Sequence, residues 1–210
     1  LVLDAAHSES YLIEGGHAFL GCGGFGRVFR ARENILQPAS THRNPEYAIK
    51  IVTEENVPTL QCEFTALQSA HSTLPDSIMP PVKFCNCSHG GAFLVQKYVG
   101  EPVQMPQMAA ALIRSLCGLH VAGIIHGDPR VPNAVVVNQQ IRWVDFLSYY
   151  AHSNEDCSVA YQTDMKILVA SILHLDKSSA RLMMIDNYNP PIESSVDAII
   201  ESTINAINAE

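Results

Sequence analysis

The stretch "IIHGDPRVPNAVVVNQQIRWVDFL" occupies residues 124–147. It sets Asp128, Arg130, Asn133 and Asp145 around two short apolar runs, "AVVV" and "IRWV", which are separated by a polar "NQQ". Short β-favouring runs joined by polar turn residues read as a hairpin. A hairpin here returns the second carboxylate to the neighbourhood of the Asn133 amide. Taken singly, Asp128 reads as a turn residue, Asn133 as a cap and Asp145 as a strand-end acid. Their meaning depends on what else the chain carries.

A second unusual stretch precedes it. Residues 16–30, "GHAFLGCGGFGRVFR", read as strand, glycine turn and strand, because "RVFRAR" alternates apolar and polar. Gly21, Gly23 and Gly26 have the G-x-G-x-x-G spacing, with Gly24 between them. A Walker loop would end in Gly-Lys-Ser/Thr, and Arg27-Val28 does not. A dinucleotide fold would start a helix straight after the glycines. A strand–turn–strand glycine loop has a valine two residues after its last glycine, and Val28 stands there. Glycines in such a loop let backbone N–H groups approach phosphate oxygens. An ordinary glycine-rich hairpin would show the same letters. "YAIK" then places Lys50 in a strand, and "VPTLQCEFTALQSA" (57–70) has Leu60, Phe64 and Leu67 at helical spacing with Pro58 in its first turn. Glu63 on that helix is the natural partner for Lys50. Glu54 and Glu55 are too near Lys50 in sequence to reach back easily.

The 210 residues suffice for one domain of two lobes. Hydrophobic residues make up 47% and charged residues 16%, a globular composition. The net charge of −8 argues against a dedicated nucleic-acid surface. No apolar run reaches the roughly 18 residues that cross a bilayer, which argues against a membrane partner. The chain starts at Leu1 rather than Met, as a piece of a longer polypeptide would, and "LVLDAAHSES" lacks the form of a signal peptide. Six cysteines at irregular spacing are expected to be reduced thiols inside a cell. "CNCSH" (Cys85, Cys87, His89) lacks the spacing of a structural zinc site. Residues 35–45 read as a loop and 92–100 as a strand. Helices are expected at 106–123, with Gly123 as C-cap, at 163–175, with Thr163 or Asp164 near its start, and at 194–207. The last places Val196, Ile199, Ile200, Ile204 and Ile207 on one face.

A glycine turn between strands, "AIK", a helix glutamate, "HGDPRVPN" and "VDF" follow one another along the chain. In that order the sequence resembles the protein kinase superfamily over nearly its whole length. The resemblance implies an α+β, bilobal protein kinase-like fold with a compact C-lobe and a short activation segment. It implies an N-lobe over 1–97 and a C-lobe over 98–210. ATP and Mg²⁺ (or Mn²⁺) are the implied cofactors. Gly21, Gly23, Gly24, Gly26 and Val28 would cover the nucleotide phosphates, and Lys50, steadied by Glu63, would neutralise them. Asp128 would accept the proton of the attacking hydroxyl, and Arg130 would stabilise charge on the transferring group. Asn133 and Asp145 would hold the metal.

The sequence departs from typical eukaryotic kinases at four places. "HRD" becomes "HGD", a form shared with small-molecule phosphotransferases, Arg130 replaces a lysine, "DFG" becomes "DFL" at 145–147, and no "APE" is visible. Asp164 looks like the buried aspartate that opens the central C-lobe helix, only 164 − 145 = 19 positions after Asp145. Gly127 removes the arginine that would receive a phosphate on Ser148, Tyr149, Tyr150, Ser153 or Ser158, so activation-segment phosphorylation is not expected to be needed. "HGDxRxPN…WVDF" with the compact C-lobe looks most like the kinase domains of crinkler-type effectors. That likeness implies a longer, secreted protein acting in a host cytoplasm or nucleus. The expected activity is ATP-dependent phosphotransfer to serine or threonine, on protein substrates or on the chain itself. The alternatives are a small-molecule phosphotransferase and a pseudokinase or nucleotide-binding scaffold.

Overall fold

The computed structural model describes residues 2–3, 11–13, 15–33, 46–87, 90–146, 157–176, 178–188, 190 and 193–209. The loop expected at 35–45, His89 and the segment 147–156, with Leu147, Ser148, Tyr149, Tyr150 and Ser153, lie outside the described residues. The chain divides into two compact units, residues 1–68 with 79–99 and residues 69–78 with 100–210.

The first unit is an antiparallel sheet with one long helix. Its strands are β1 (Val2–Leu3), β2 (Tyr11–Leu12), β3 (Phe19–Cys22), β4 (Arg27–Glu33), β5 (Glu46–Val52), β6 (Pro81–Asn86) and β7 (Ala92–Lys97). They run in the order β1-β2-β4-β5-β7-β6, with β3 also paired to β4. The two-residue period of β5 sends Ile49 to one face, where it joins Tyr11, Ala31, Phe93 and Val95 in a buried apolar cluster. Lys50 therefore points to the other face, in register with Val28 on one side and Leu94 on the other. The helix, α1 (Val57–Thr73), carries a buried stripe of Leu60, Glu63, Leu67 and Ala70. A carboxylate stands in that stripe, and Phe64, expected there, is only half-buried and stacks on Phe84. Strand β6 was not anticipated, because "PVKFCN" neither alternates cleanly nor avoids proline.

The second unit holds helices α2 (Ala109–Val121), α3 (Ser158–Ile172) and α4 (Glu193–Asn208). Its small antiparallel sheet is formed by β8 (Glu101–Pro102), β9 (Ala134–Val137) and β10 (Gln140–Trp143). Helix α2 begins three residues later than expected and ends as expected at Gly123. That glycine has φ +76°, and Ile124 N–H returns to Leu119 O at 2.9 Å. Strands β9 and β10 form the hairpin read from the sequence. Asn138 and Gln139 turn it with φ of +51° and +65°, the paired left-handed conformations that suit the strand twist.

Helix α3 starts five residues before Thr163. The Thr163 hydroxyl donates back to Val159 O at 2.7 Å, so Thr163 is an interior helix residue and not the cap the sequence suggested. Asp164 consequently lies inside the helix and does not open it. Along α4 the buried face is Val196, Ile199, Ile200 and Thr203, whereas Ile204 is 38% exposed. Thr203 enters the core because its hydroxyl is satisfied by Ile199 O at 2.7 Å.

The division of the chain is not a single cut near residue 97. Residues 69–78 group with the second unit because the hairpin holds them. Trp143 N–H donates to Ser77 O at 2.9 Å. Arg142 Nη1 donates to Pro75 O at 2.7 Å and to Ile78 O at 3.0 Å.

Candidate functional site

In the first unit the glycine turn is closed by Gly23 N–H donating to Gly26 O at 3.0 Å. Its glycines have different reasons to be glycine. A Cβ on Gly26 would lie 2.6 Å from Ile51 O, so close approach to β5 demands it. Cβ atoms on Gly21 or Gly24 would meet nothing within 4 Å. At those two positions the missing side chain leaves the backbone open to an approaching group. Val28 lies directly across from Lys50.

Lys50 is a buried lysine, 6% exposed, and its Nζ lies 2.7 Å from Glu63 Oε2, which is equally buried. A buried charge is costly unless it is paired, so the two groups support each other. Glu63 stands in the apolar stripe of α1 for that reason.

In the second unit the loop 126–133 is fastened at several points. The Asp164 carboxylate, 2% exposed, accepts from His126 N–H at 2.7 Å and Gly127 N–H at 3.1 Å. Gly127 has φ +87°, a conformation any other residue would adopt with strain. Val131 N–H donates to Ser171 Oγ on α3 at 3.1 Å. Asn133 Nδ2 donates to Asp128 O at 2.8 Å and to Asp128 Oδ2 at 3.1 Å. Val144 N–H donates to Asn133 O at 3.0 Å, so the hairpin closes one residue before Asp145. Asp145 itself takes φ +62°, a left-handed conformation that aspartate tolerates better than most residues.

The loop thus brings Asp128, Arg130 and Asn133 together. Arg130 Nε donates to Asp128 Oδ2 at 2.8 Å, and its Nη2 lies against the same oxygen. Both hydrogen bonds of the Asn133 side chain use its nitrogen end, so its carbonyl oxygen is the end that could face a cation. An amide oxygen and two carboxylates are hard donors, which suit magnesium better than zinc. Among the described residues no three His, Cys, Asp or Glu side chains converge as a metal cluster. All six cysteines are described, and none forms a disulfide. No helix among the described residues is long and apolar enough to cross a membrane.

His126 is fully buried, stacked on Phe146 at 4.3 Å and edge-on to Trp143 at 5.1 Å. Its Nδ1 accepts from Asp128 N–H at 3.3 Å, which leaves the ring proton on Nε2. The Val144 carbonyl attracts that proton without a well-formed bond. Burial pushes the His126 pKa down to about 4, against the opposing pull of Asp164, Asp145, Val144 O and Asp128. The folded state thus refuses a proton that the unfolded chain accepts near pH 6.5. The stability from neutral His126 is fully present above about pH 6.5 and is lost as pH falls toward 4, amounting to about 3 kcal/mol. Buried His120, also pushed down by burial, acts in the same direction. Urea unfolding followed from pH 7.5 to 4.5 should show this slope, and His126→Gln should flatten it. An identical slope in the variant would contradict the assignment.

Two residues of this region went unremarked in the sequence. His120 and Tyr188 are buried against Asp164, and their signal in the sequence is no more than a histidine on the last turn of α2 and a tyrosine after α3.

No protein-family model matches the chain, and no curated protein sequence does. Solved structures do. One crystal structure of the Mycobacterium tuberculosis PknI kinase domain, a cysteine-to-alanine variant, aligns with a TM-score of 0.61 and 16% identity. The alignment covers 91% of this chain and 95% of that one. A second PknI kinase domain structure aligns with a TM-score of 0.58 and 15% identity over the same shares of both chains. At such identity the likeness concerns the fold, and the α+β fold of this chain is protein kinase-like.

Proposed function

We propose that the chain is an ATP-dependent phosphotransferase acting on serine or threonine hydroxyls of protein substrates, its own among them. The observation that carries this reading is the closure of Asn133 on Asp128 and on Val144, which gathers an acid, an amide and the approach to a second acid at one end of a hairpin. When bound, magnesium ATP supplies the phosphoryl group and the cation that draws charge from its oxygens. Asp128 orients the attacking hydroxyl and takes its proton. Asn133 Oδ1 and the Asp145 carboxylate hold the cation. Arg130, 53% exposed at its side chain, is free to swing toward added negative charge. Lys50, held by Glu63, meets phosphate oxygens, and the open backbone at Gly21 and Gly24 gives them N–H donors.

A second reading, a nucleotide-binding scaffold without turnover, is favoured by one contact. Arg130 and Asn133 together place three donor atoms on Asp128 Oδ2, the oxygen that would take the proton. The finer resemblance to crinkler-type effector kinases, resting on "HGDxRxPN…WVDF", would make the chain part of a secreted protein that acts inside a host cell.

Calorimetry with ATP and Mg²⁺ tests the division of roles. Asp145→Ala should weaken magnesium-dependent nucleotide binding by about tenfold or more, and Asp128→Ala by no more than about threefold, since Asp128 serves chemistry. Equal losses in the two variants would sink the assignment.

A further inference from the structure

The phosphotransfer reading leaves a buried polar cluster in the second unit without a role. His120, on the last turn of α2, has its Nδ1 2.8 Å from the Tyr188 hydroxyl and its Nε2 3.4 Å from Asp164 Oδ2. All three side chains are at most 2% exposed. Tyr161 lies against the same imidazole, with ring centroids 4.7 Å apart. Burial holds His120 below its ordinary pKa and Tyr188 above its own, so both are neutral near pH 7.

Neutral groups fix the direction of every bond. Asp164 can only accept, so His120 must present Nε2–H to it. Nδ1 is then the acceptor, and the Tyr188 hydroxyl donates. The other tautomer would turn a lone pair on the carboxylate. Asp164 thus sets the tautomer, and the Tyr188 hydroxyl, donating to Nδ1 at 2.8 Å, holds the ring where Nε2–H meets the carboxylate. Asp164 in turn holds His126 N–H and Gly127 N–H, immediately before Asp128. Tyr188 comes from the turn after the 3₁₀ segment Ala180–Ile185, and Gln162 Nε2 ties its carbonyl to α3 at 3.4 Å.

We propose that Tyr188 and His120 are positioning residues for the loop that carries Asp128, acting through Asp164. The proposal rests on the reading of Asp128 given above. It makes the segment between α3 and α4 part of what aims the loop.

Tyr188→Phe tests it, because only the hydroxyl is lost. Nitrogen-15 NMR of the wild type should find His120 as the single Nε2–H tautomer. In Tyr188→Phe the imidazole loses its second anchor, and the Gly127 amide should exchange with solvent about tenfold faster while amides in the middle of α2 do not change. The turnover number should fall about fivefold or more, with the KM for ATP unchanged within about twofold. A wild-type His120 that is charged, or that carries its proton on Nδ1, overturns the proposal without need of any variant. So does a Gly127 exchange rate that Tyr188→Phe leaves unaltered. Unaltered turnover in Tyr188→Phe despite faster Gly127 exchange would also overturn it, reducing the cluster to packing. If the wild type transfers no phosphate, the phosphotransfer reading fails by itself, and with it the catalytic sense of positioning, while the tautomer and exchange results still decide whether Tyr188 governs the loop.

Discussion

Lys50→Ala is expected to lower the stability of the first unit by about 3–5 kcal/mol, besides removing turnover. A strand lysine is ordinarily solvated, and on that premise its removal would leave the fold untouched. The structure removes the premise. Lys50 and Glu63 are each 6% exposed and 2.7 Å apart, so deleting the ammonium leaves a carboxylate in the apolar stripe of α1. Glu63 then loses a 2.7 Å charged partner in a place with little water, which costs free energy. The double variant Lys50→Met/Glu63→Leu removes both charges and should recover most of the lost stability without recovering turnover. Denaturant midpoints of the wild type, the single and the double variant give the comparison. Equal midpoints for Lys50→Ala and the wild type would show that the pair is not a buried ion pair.

Asp164→Ala should destabilise the second unit by a similar amount, about 3–5 kcal/mol. The variant strands two backbone donors, His126 N–H in the buried core and Gly127 N–H in a half-buried place. Asp164→Asn keeps an acceptor oxygen but offers its amide hydrogens to donors, so it should fall between the two. Thermal unfolding and the exchange rate of the Gly127 amide measure the effect. A loss below about 1 kcal/mol for Asp164→Ala would mean that the loop is held by Val131 and Asn133 alone.

Much of this arrangement could be read from the chain. The hairpin was legible because "AVVV" and "IRWV" have strand propensity and the polar "NQQ" between them opens with an asparagine, which tolerates left-handed backbone; Asn138 adopts it, and Gln139 follows. The glycine turn was legible from its alternating flanks, and the C-cap from Gly123. The start of α3 was not. Thr163 and Asp164 have the chemistry of caps, but Thr163 bonds a carbonyl four residues back in its own helix and Asp164 takes two backbone amides from another segment, so both are interior residues. Strand β6 was hidden by its proline and by a pattern that owes its place to β7. The inward face of α4 took Thr203 in place of Ile204, since a hydroxyl that bonds its own helix is cheap to bury. His120 and Tyr188 could not be paired from sequence, because 68 positions separate them and no spacing rule joins them.

The proposed function turns on phosphoryl transfer with Asp128 as the group that takes the hydroxyl proton. Incubating the purified chain with ATP labelled at the γ-phosphate, Mg²⁺ and a mixture of serine- and threonine-containing protein substrates tests it most directly, with Asp128→Asn as the control. Label is expected on hydroxyl side chains of substrate or of the chain itself, with a loss of about a thousandfold or more in the Asp128→Asn variant. Transfer that survives Asp128→Asn at the wild-type rate, or a wild type that binds magnesium ATP and transfers nothing, would contradict it.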